Sequence, residues 1–241
     1  EPVDELHHRL IRTLRALLET SGLTDRQDAE VRNPLGRLLI IAGEAETALV
    51  ELERSVAHLD HDPVEAARAM SFLGWAYAGP WPASTPLRWL RRAADPPPSL
   101  SSAADRVSLA GNRAAALLML GEEEAWDVVA TLPSDGTTST ERLDIARINA
   151  NIGTGALLWG RYSDARRHLS TALTLAEAEQ SSRLRYNILL EQANLDWFTG
   201  RWDGLAQRAE NLGEADRDRP AVYLASVRLL ARLAAAAGRR R

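Results

Sequence analysis

Ala156-Leu-Leu-Trp-Gly160-Arg-Tyr162-Ser-Asp-Ala165 recurs, with its glycine forty residues on, as Leu195-Asp-Trp-Phe-Thr-Gly200-Arg-Trp202-Asp-Gly-Leu205. Each copy sits between two runs whose apolar residues return at helical spacing, so each predicts a helix, a Gly-Arg-aromatic turn and a second helix. An amphipathic helix cannot bury its apolar stripe alone. A helix pair repeated at a fixed period therefore implies stacked antiparallel pairs sharing a continuous core, an all-α architecture.

The period runs through most of the chain. Glycines suited to ending a first helix stand at Gly43, Gly79, Gly121, Gly160, Gly200 and Gly238, at intervals of 36, 42, 39, 40 and 38 residues. A residue just past a helix end commonly takes positive φ, which costs glycine little. Seven positions before these glycines stand Gly36, Phe72, Ala114, Gly153, Ala193 and Ala231, five of the six small. A small residue there lets the paired helices approach closely, so this second register supports the first.

The pattern resembles the tetratricopeptide (TPR) repeat, whose signature joins a small residue, Gly-x-aromatic and Ala-x3-aromatic/Leu-x2-Ala. Gly153, Gly160, Tyr162, Ala165, Leu169 and Ala172 match it, as do Leu35, Gly36, Gly43, Ala48 and Leu52 in an earlier copy. The copy at Gly200 keeps Trp202 but has Leu205 where alanine is expected, and the copy at Gly79 runs into a Pro-rich turn. The period exceeds the ~34 residues usual for this repeat, which implies longer helices. The resemblance implies a right-handed superhelical TPR-like solenoid over residues 1–241. It would hold about five full helix pairs, a leading helix and one unpaired C-terminal helix.

Composition agrees with such a fold. The chain has 241 residues, 45% hydrophobic, 26% charged and 5% aromatic. No apolar run approaches the ~18 residues of a membrane span. The start, Glu1-Pro-Val-Asp, lacks the basic-then-apolar pattern of a signal peptide. There is no cysteine, hence no disulfide or thiol chemistry, and a net charge of −4 gives no general reason to bind nucleic acid. All 29 basic residues are arginine, which excludes a P-loop lysine and lysine Schiff-base chemistry.

In chain order, Val3 to Glu19 reads as a leading amphipathic helix through Leu6, Leu10, Leu14, Leu17 and Leu18. Its adjacent His7 and His8 point about 100° apart on a helix and read as surface residues rather than metal ligands. The first full repeat spans about Ala29 to Leu59, with Asn33-Pro34 as cap and first helical position. His58 and His61, beside Asp60 and Asp62, have a spacing that could hold a divalent ion. At a helix end before Pro63 they read instead as polar punctuation. The second repeat, Val64 to Ala94, is interrupted by Gly79-Pro-Trp-Pro; Trp81 reads as tucked back over the helix pair, the alternative being an exposed anchor. Asp95-Pro-Pro-Pro-Ser99 reads as a stiff connector.

The third repeat runs from Ala103 to Leu132, with Glu122, Glu123 and Glu124 favouring the positive end of its second helix. A polar linker follows, ending in Thr140 as the cap of the next helix. No Gly-x-Ser-x-Gly elbow accompanies its serines. The last helix, Ala221 to Ala237, closes on Gly238-Arg-Arg-Arg241, which repeats the Gly160-Arg161 turn. The arginines read as a turn rather than a nucleic-acid tail, and the chain as a piece of a continuing solenoid.

Leu195 to Leu212 also resembles the helix pairs of large ATP-dependent LuxR-type (MalT-like) bacterial transcriptional regulators. In that family a nucleotide-binding ATPase precedes a TPR-like sensor solenoid, and a helix-turn-helix follows it. The resemblance implies a cytoplasmic, non-catalytic sensor domain without cofactor or metal, touching DNA only through a separate domain. The alternative is a free-standing scaffold that binds peptides. Aligning repeats by their turn glycines sends Arg37, Tyr77, Asn112, Arg147, Asn151, Thr154, Asn187, Asn194, Trp197, Arg228 and Arg232 to the concave face. Arginine and asparagine converging there suit a protein, peptide or small-molecule effector with carboxylate, phosphate or amide groups. Self-association as a homodimer is left open, and no membrane partner is expected.

Overall fold

The computed structural model describes residues 3–20, 22–78, 81–93, 102–215 and 220–238. Among these, twelve helices and no strand are found. They are α1 (Val3–Leu18), α2 (Asp25–Ile41), α3 (Ala45–Val56), α4 (Pro63–Ala76), α5 (Ser84–Arg92) and α6 (Ala103–Leu120). After them come α7 (Ala125–Val129), α8 (Ser139–Leu158), α9 (Tyr162–Ala178), α10 (Ser182–Phe198), α11 (Leu205–Ala215) and α12 (Pro220–Ala236). None is long and apolar enough to cross a membrane. The chain divides into two compact units, Glu1–Ala125 and Trp126–Arg241.

Local chemistry sets where the helices begin. Thr24 caps α2 in a reciprocal box with Gln27, and Thr138 does the same for α8 with Glu141. Both differ from the sequence reading, which placed the caps at Asn33 and Thr140. A box satisfies two orphan N–H groups at once and wins over a simple cap, so α2 starts eight residues before Asn33 and Pro34 lies inside the helix. Asp62 caps α4 ahead of Pro63, and Ser102 caps α6 through the Asp105 N–H.

Where the first helices end, glycine is required. Gly43, Gly121, Gly160, Gly200 and Gly238 have φ between +69° and +84°. The residue after Gly160 donates to the Ala156 carbonyl at 2.9 Å and the one after Gly200 to the Asp196 carbonyl at 2.8 Å. This six-to-one bond turns the chain back on itself. Gln180 makes the same turn after α9 at φ +53°, a conformation unusual for a side chain with a Cβ. Gly79, the remaining turn glycine of the sequence reading, lies outside the described residues. So do the connector from Asp95 to Ser99 and the residues Arg239 to Arg241.

The close-approach register is equally plain. A Cβ on Gly36 would lie 2.5 Å from Leu52 Cγ, and one on Gly153 would lie 2.7 Å from Leu169 Cγ. In the second helix pair the small residue is Gly74, whose Cβ would meet Leu90 Cδ2 at 2.4 Å. It is not at position 72, where the sequence register put it. The close contact lies two residues beyond that position, and Phe72 itself packs half-buried against the core beside Trp75. In all three pairs the small residue and its leucine are sixteen positions apart. Ala193 and Ala209, also sixteen apart, are both buried in one cluster.

In the first unit α2 packs on α3 and α4 on α5, with α1 against α2, α3 against α4, and α6 against α4 and α5. Its core holds Leu35, Leu39, Leu52, Leu59, Leu73 and Leu90, all essentially inaccessible. Trp81 does tuck back, half-buried, its ring edge-on to Tyr77 at 5.3 Å. In the second unit α8 packs on α9, α9 on α10 and α11 on α12, and α10 touches α8, α11 and α12. Leu169, Ile188 and Leu205 form its interior. The helix expected after Gly121 is only the five residues of α7, and Glu122 to Glu124 belong to the turn before it.

Candidate functional site

The residues assigned to the concave face fall in both units. In the first, Arg37 on α2 donates to Glu65 Oε1 at 2.7 Å and its guanidinium lies 5.8 Å from the Phe72 ring. Tyr77, the C-cap of α4, donates its hydroxyl to Glu53 Oε1 at 2.8 Å. Burial and that carboxylate push the phenol up to about 12, so it stays protonated and acts as a donor. Asn112 is half-buried on α6.

The second unit is more coherent, because α10 touches both α8 and α12. Arg147, Asn151 and Thr154 form one stripe of α8 at helical spacing, and Arg147 is tied to Asp144 one turn back. Thr154 donates to the Ala150 carbonyl at 3.1 Å. On α10, Asn187 is exposed and Asn194 half-buried. On α12, Arg228 and Arg232 are exposed one turn apart.

Trp197 does not join this stripe. It packs against Ala193, Leu205 and Ala209 and stacks on Trp202 at 4.9 Å, while its carbonyl accepts from the Trp202 indole at 2.9 Å. One residue further round α10, Phe198 is 47% exposed, stacked on Tyr162 at 6.3 Å, with the Arg232 guanidinium 6.0 Å from its ring. The aromatic beside Arg232 is therefore Phe198.

The sequence reading also passed over Glu191. It stands nine residues before Gly200, the register Asn151 holds before Gly160, so the glycine alignment already contained it. Burial pushes its carboxyl above the usual range, opposed by a hydrogen bond with Asn194 and by the Arg232 charge. Glu191, Asn194 and Phe198 thus make one face of α10, and Arg232 of α12 reaches two of them. This cluster offers an amide, a desolvated carboxyl, an exposed ring and a cation: a recognition surface for a small polar group next to an apolar one.

A carboxyl with a raised folded-state pKa contributes stability below its unfolded value and loses it as pH rises through the folded value. Glu191→Gln keeps a partner for Asn194 and removes the charge. It is expected to raise the thermal midpoint at neutral pH and to have little effect near pH 4. A midpoint lowered equally at both pH values would refute this reading.

His7 and His8 lie on α1, and His58 and His61 face Asp25 and Glu30 at 4.0 and 3.3 Å. Among the described residues no three His, Asp or Glu side chains come together as a cation-binding set. No family model matches the chain, and comparison with curated proteins finds no match either.

Proposed function

We propose that the chain is a TPR-like solenoid of stacked antiparallel helix pairs, coiled as a right-handed superhelix. It serves as the non-catalytic ligand- or partner-binding sensor region of a LuxR-type, MalT-like transcriptional regulator. The observation that carries the solenoid reading is the repetition of two devices at one period. These are the left-handed turn glycine and the small residue pressed against a leucine sixteen positions later. Each pair so built exposes an apolar edge that only a neighbouring pair can cover.

The regulatory reading rests on the likeness of α10 and α11 to the sensor repeats of that family. The effector surface is the α8–α10–α12 side of the second unit, with Arg147, Asn151, Asn194, Arg228 and Arg232 as its polar contacts. Arginine beside asparagine favours a ligand that offers a carboxylate or phosphate together with an amide or hydroxyl. Phe198 suits an apolar portion. DNA contact belongs to a separate domain, and the region works in the cytoplasm.

Two measurements test this. A saturating effector should stabilise the protein by about 2.7 kcal/mol at a hundredfold excess over Kd, a rise of several degrees in midpoint. Asn194→Ala with Arg232→Ala should abolish that rise. The parent gene should encode a P-loop upstream and a helix-turn-helix downstream. Lack of both flanking motifs would sink the regulator reading in favour of a free-standing peptide-binding scaffold. A flat midpoint across a broad panel of carboxylates and phosphates would sink small-molecule sensing.

A further inference from the structure

Helix α12 covers the second unit with one face and leaves the opposite face bare. Val222, Ser226 and Leu229 are buried, and Leu229 packs with Ala193 of α10 and with Leu205 and Ala209 of α11. On the other side Leu224 and Val227 are 51% and 41% exposed, and Ala231 and Ala235 are exposed with them. Leu224, Arg228, Ala231 and Ala235 follow at i, i+4, i+7 and i+11, a single helical stripe.

The repeat assigns that stripe a partner. Gly36, Ala114, Gly153 and Ala193 stand seven residues before their turn glycines, and all are buried. Ala231 stands seven before Gly238 and is exposed. In α8 the matching stripe is Ala146, Ala150, Gly153 and Leu157, every one buried, and α9 packs on α8 with Leu169 at Gly153. The bare stripe of α12 is therefore the face on which a first helix receives an antiparallel second helix.

One residue departs from the pattern. Ten residues before their turn glycines, Ala150 and Leu190 are buried and apolar, whereas α12 has Arg228 in that place. Helix α12 contains no Asp or Glu, and among the described residues Arg228 meets no carboxylate. An apolar helix closing over Arg228 would strand a charge, so the helix that fits here carries an acid. With its leucine on Ala231, the residue opposite Arg228 lies three positions after that leucine, as Ala172 does after Leu169.

We infer that the outer face of α12 docks an antiparallel amphipathic helix of another polypeptide, with the pattern Ala-x3-Leu-x2-Asp/Glu. The leucine rests on Ala231 and the carboxylate pairs with Arg228. The second helices of this chain do not fit, having Ser55, Ala93, Ala172 and Leu212 in the acidic place. Two copies of α12 face to face would bring arginine towards arginine with no carboxylate on either helix, so a second copy fits poorly. This surface follows from the helix-pair repeat and needs no effector, although Arg228 borders the α8–α10–α12 side.

The test is a ¹H–¹³C methyl titration of the full chain that follows Leu224 and Val227. The probes are three peptides with the Tyr162–Ala178 sequence of α9: unchanged, with Ala172→Glu, and with Ala172→Arg. The Ala172→Glu peptide should shift both residues saturably with Kd below roughly 1 mM. It should bind roughly fivefold tighter than the unchanged sequence, and the Ala172→Arg peptide should bind weakest. In the Arg228→Glu chain that order should reverse. Ala231→Glu, at an exposed position, should leave the thermal midpoint unchanged and remove binding of every peptide. It spares Asn194 and Arg232, so an effector response that survives it separates this surface from the sensor reading.

No binding of the Ala172→Glu peptide, one affinity for all three, or an order unchanged by Arg228→Glu would overturn the inference. Sedimentation showing a dimer of the chain that Ala231→Glu dissociates would give the face to a second copy and overturn it too. Shifts caused by anionic lipid vesicles and by none of the peptides would give it to a membrane surface, with the same consequence.

Discussion

Replacing Gly153 with valine is expected to destabilise the second unit by about 3 kcal/mol or more, a fall of roughly 10 °C in its thermal midpoint. Even a methyl group at this position would lie 2.7 Å from Leu169 Cγ and 2.9 Å from its Cδ2. Leu169 cannot retreat, because it is fully buried among Ala156, Ala165, Ala172 and Ile188. The helices α8 and α9 must therefore separate, and their separation opens contacts along the whole pair. Against a total stability of about 5–15 kcal/mol for a typical domain, that is a large share.

The measurement is thermal unfolding by circular dichroism, with hydrogen exchange to locate the loss in α8 and α9. Leu169→Ala alone should cost about 2–5 kcal/mol through its cavity. Combined with Gly153→Val it should cost clearly less than the sum, because the new methyl groups enter the space the leucine leaves. Strict additivity of the two changes would show that they do not meet. The same pairing at Gly74 and Leu90 provides a second trial in the first unit.

Acid should weaken the second unit through one histidine. His168 Nδ1 bonds Asn149 Oδ1 at 2.8 Å, and Asn149 is oriented by giving its Nδ2 to the Ile145 carbonyl at 2.9 Å. The proton therefore sits on Nδ1, and Nε2 accepts from Arg167 at 3.3 Å. Burial first, and then the Arg167 charge, lowers the imidazole from 6.5 to about 4, against a smaller opposing pull from Asp164. A base whose folded pKa is depressed contributes stability above its unfolded value and loses it as pH falls towards the folded one.

The window is thus pH 6.5 down to about 4. After discounting for partial solvent screening, the loss is about 2 kcal/mol. His168→Gln keeps a donor for Asn149 and cannot titrate. The difference in midpoint between the two proteins should narrow by several degrees as pH falls across that window. A constant difference from pH 7 to pH 4 would show that His168 does not titrate as described. Glu191 acts in the opposite sense, gaining stability as it protonates, so Glu191→Gln should deepen the acid loss relative to the neutral-pH protein.

Much of the fold could be read from the glycines. Gly43, Gly121, Gly160, Gly200 and Gly238 were expected at helix ends and sit there with positive φ. Backbone conformation at such a turn depends on the residue itself, so the residue reveals it. Helix starts were less legible. Pro34 looks like a first-turn proline, and only the competition between Thr24–Gln27 and Asn33 shows that it lies inside a helix. The second helix pair misled for a related reason. Its close contact runs through Gly74 and not through position 72, and a contact displaced by two residues cannot be seen when small residues are common.

The candidate surface can be named from the sequence only as a register of positions. The glycine alignment placed Arg147, Asn151, Asn194 and Arg232 on stripes of α8, α10 and α12, but it chose Trp197 over Phe198. Neighbours on a helix point about 100° apart, and which of two adjacent aromatics faces outward is decided by what else packs nearby. Here Trp202 claims Trp197, and Arg232 and Tyr162 hold Phe198.

The sequence by itself determined that this chain is helical, that its helices pair across glycine turns, and where most of those turns fall. These depend on residues within a few positions of one another, whose φ angles, N–H groups and side-chain sizes act locally. Only the tertiary structure decided that burial raises the Glu191 carboxyl beside Asn194 and that burial and the Arg167 charge keep His168 neutral. It also decided that buried Asn33 gives its amide to Glu65, 32 positions along the chain. Charge, burial and hydrogen bonding belong to neighbours in space, and those neighbours exist only once the helices have packed.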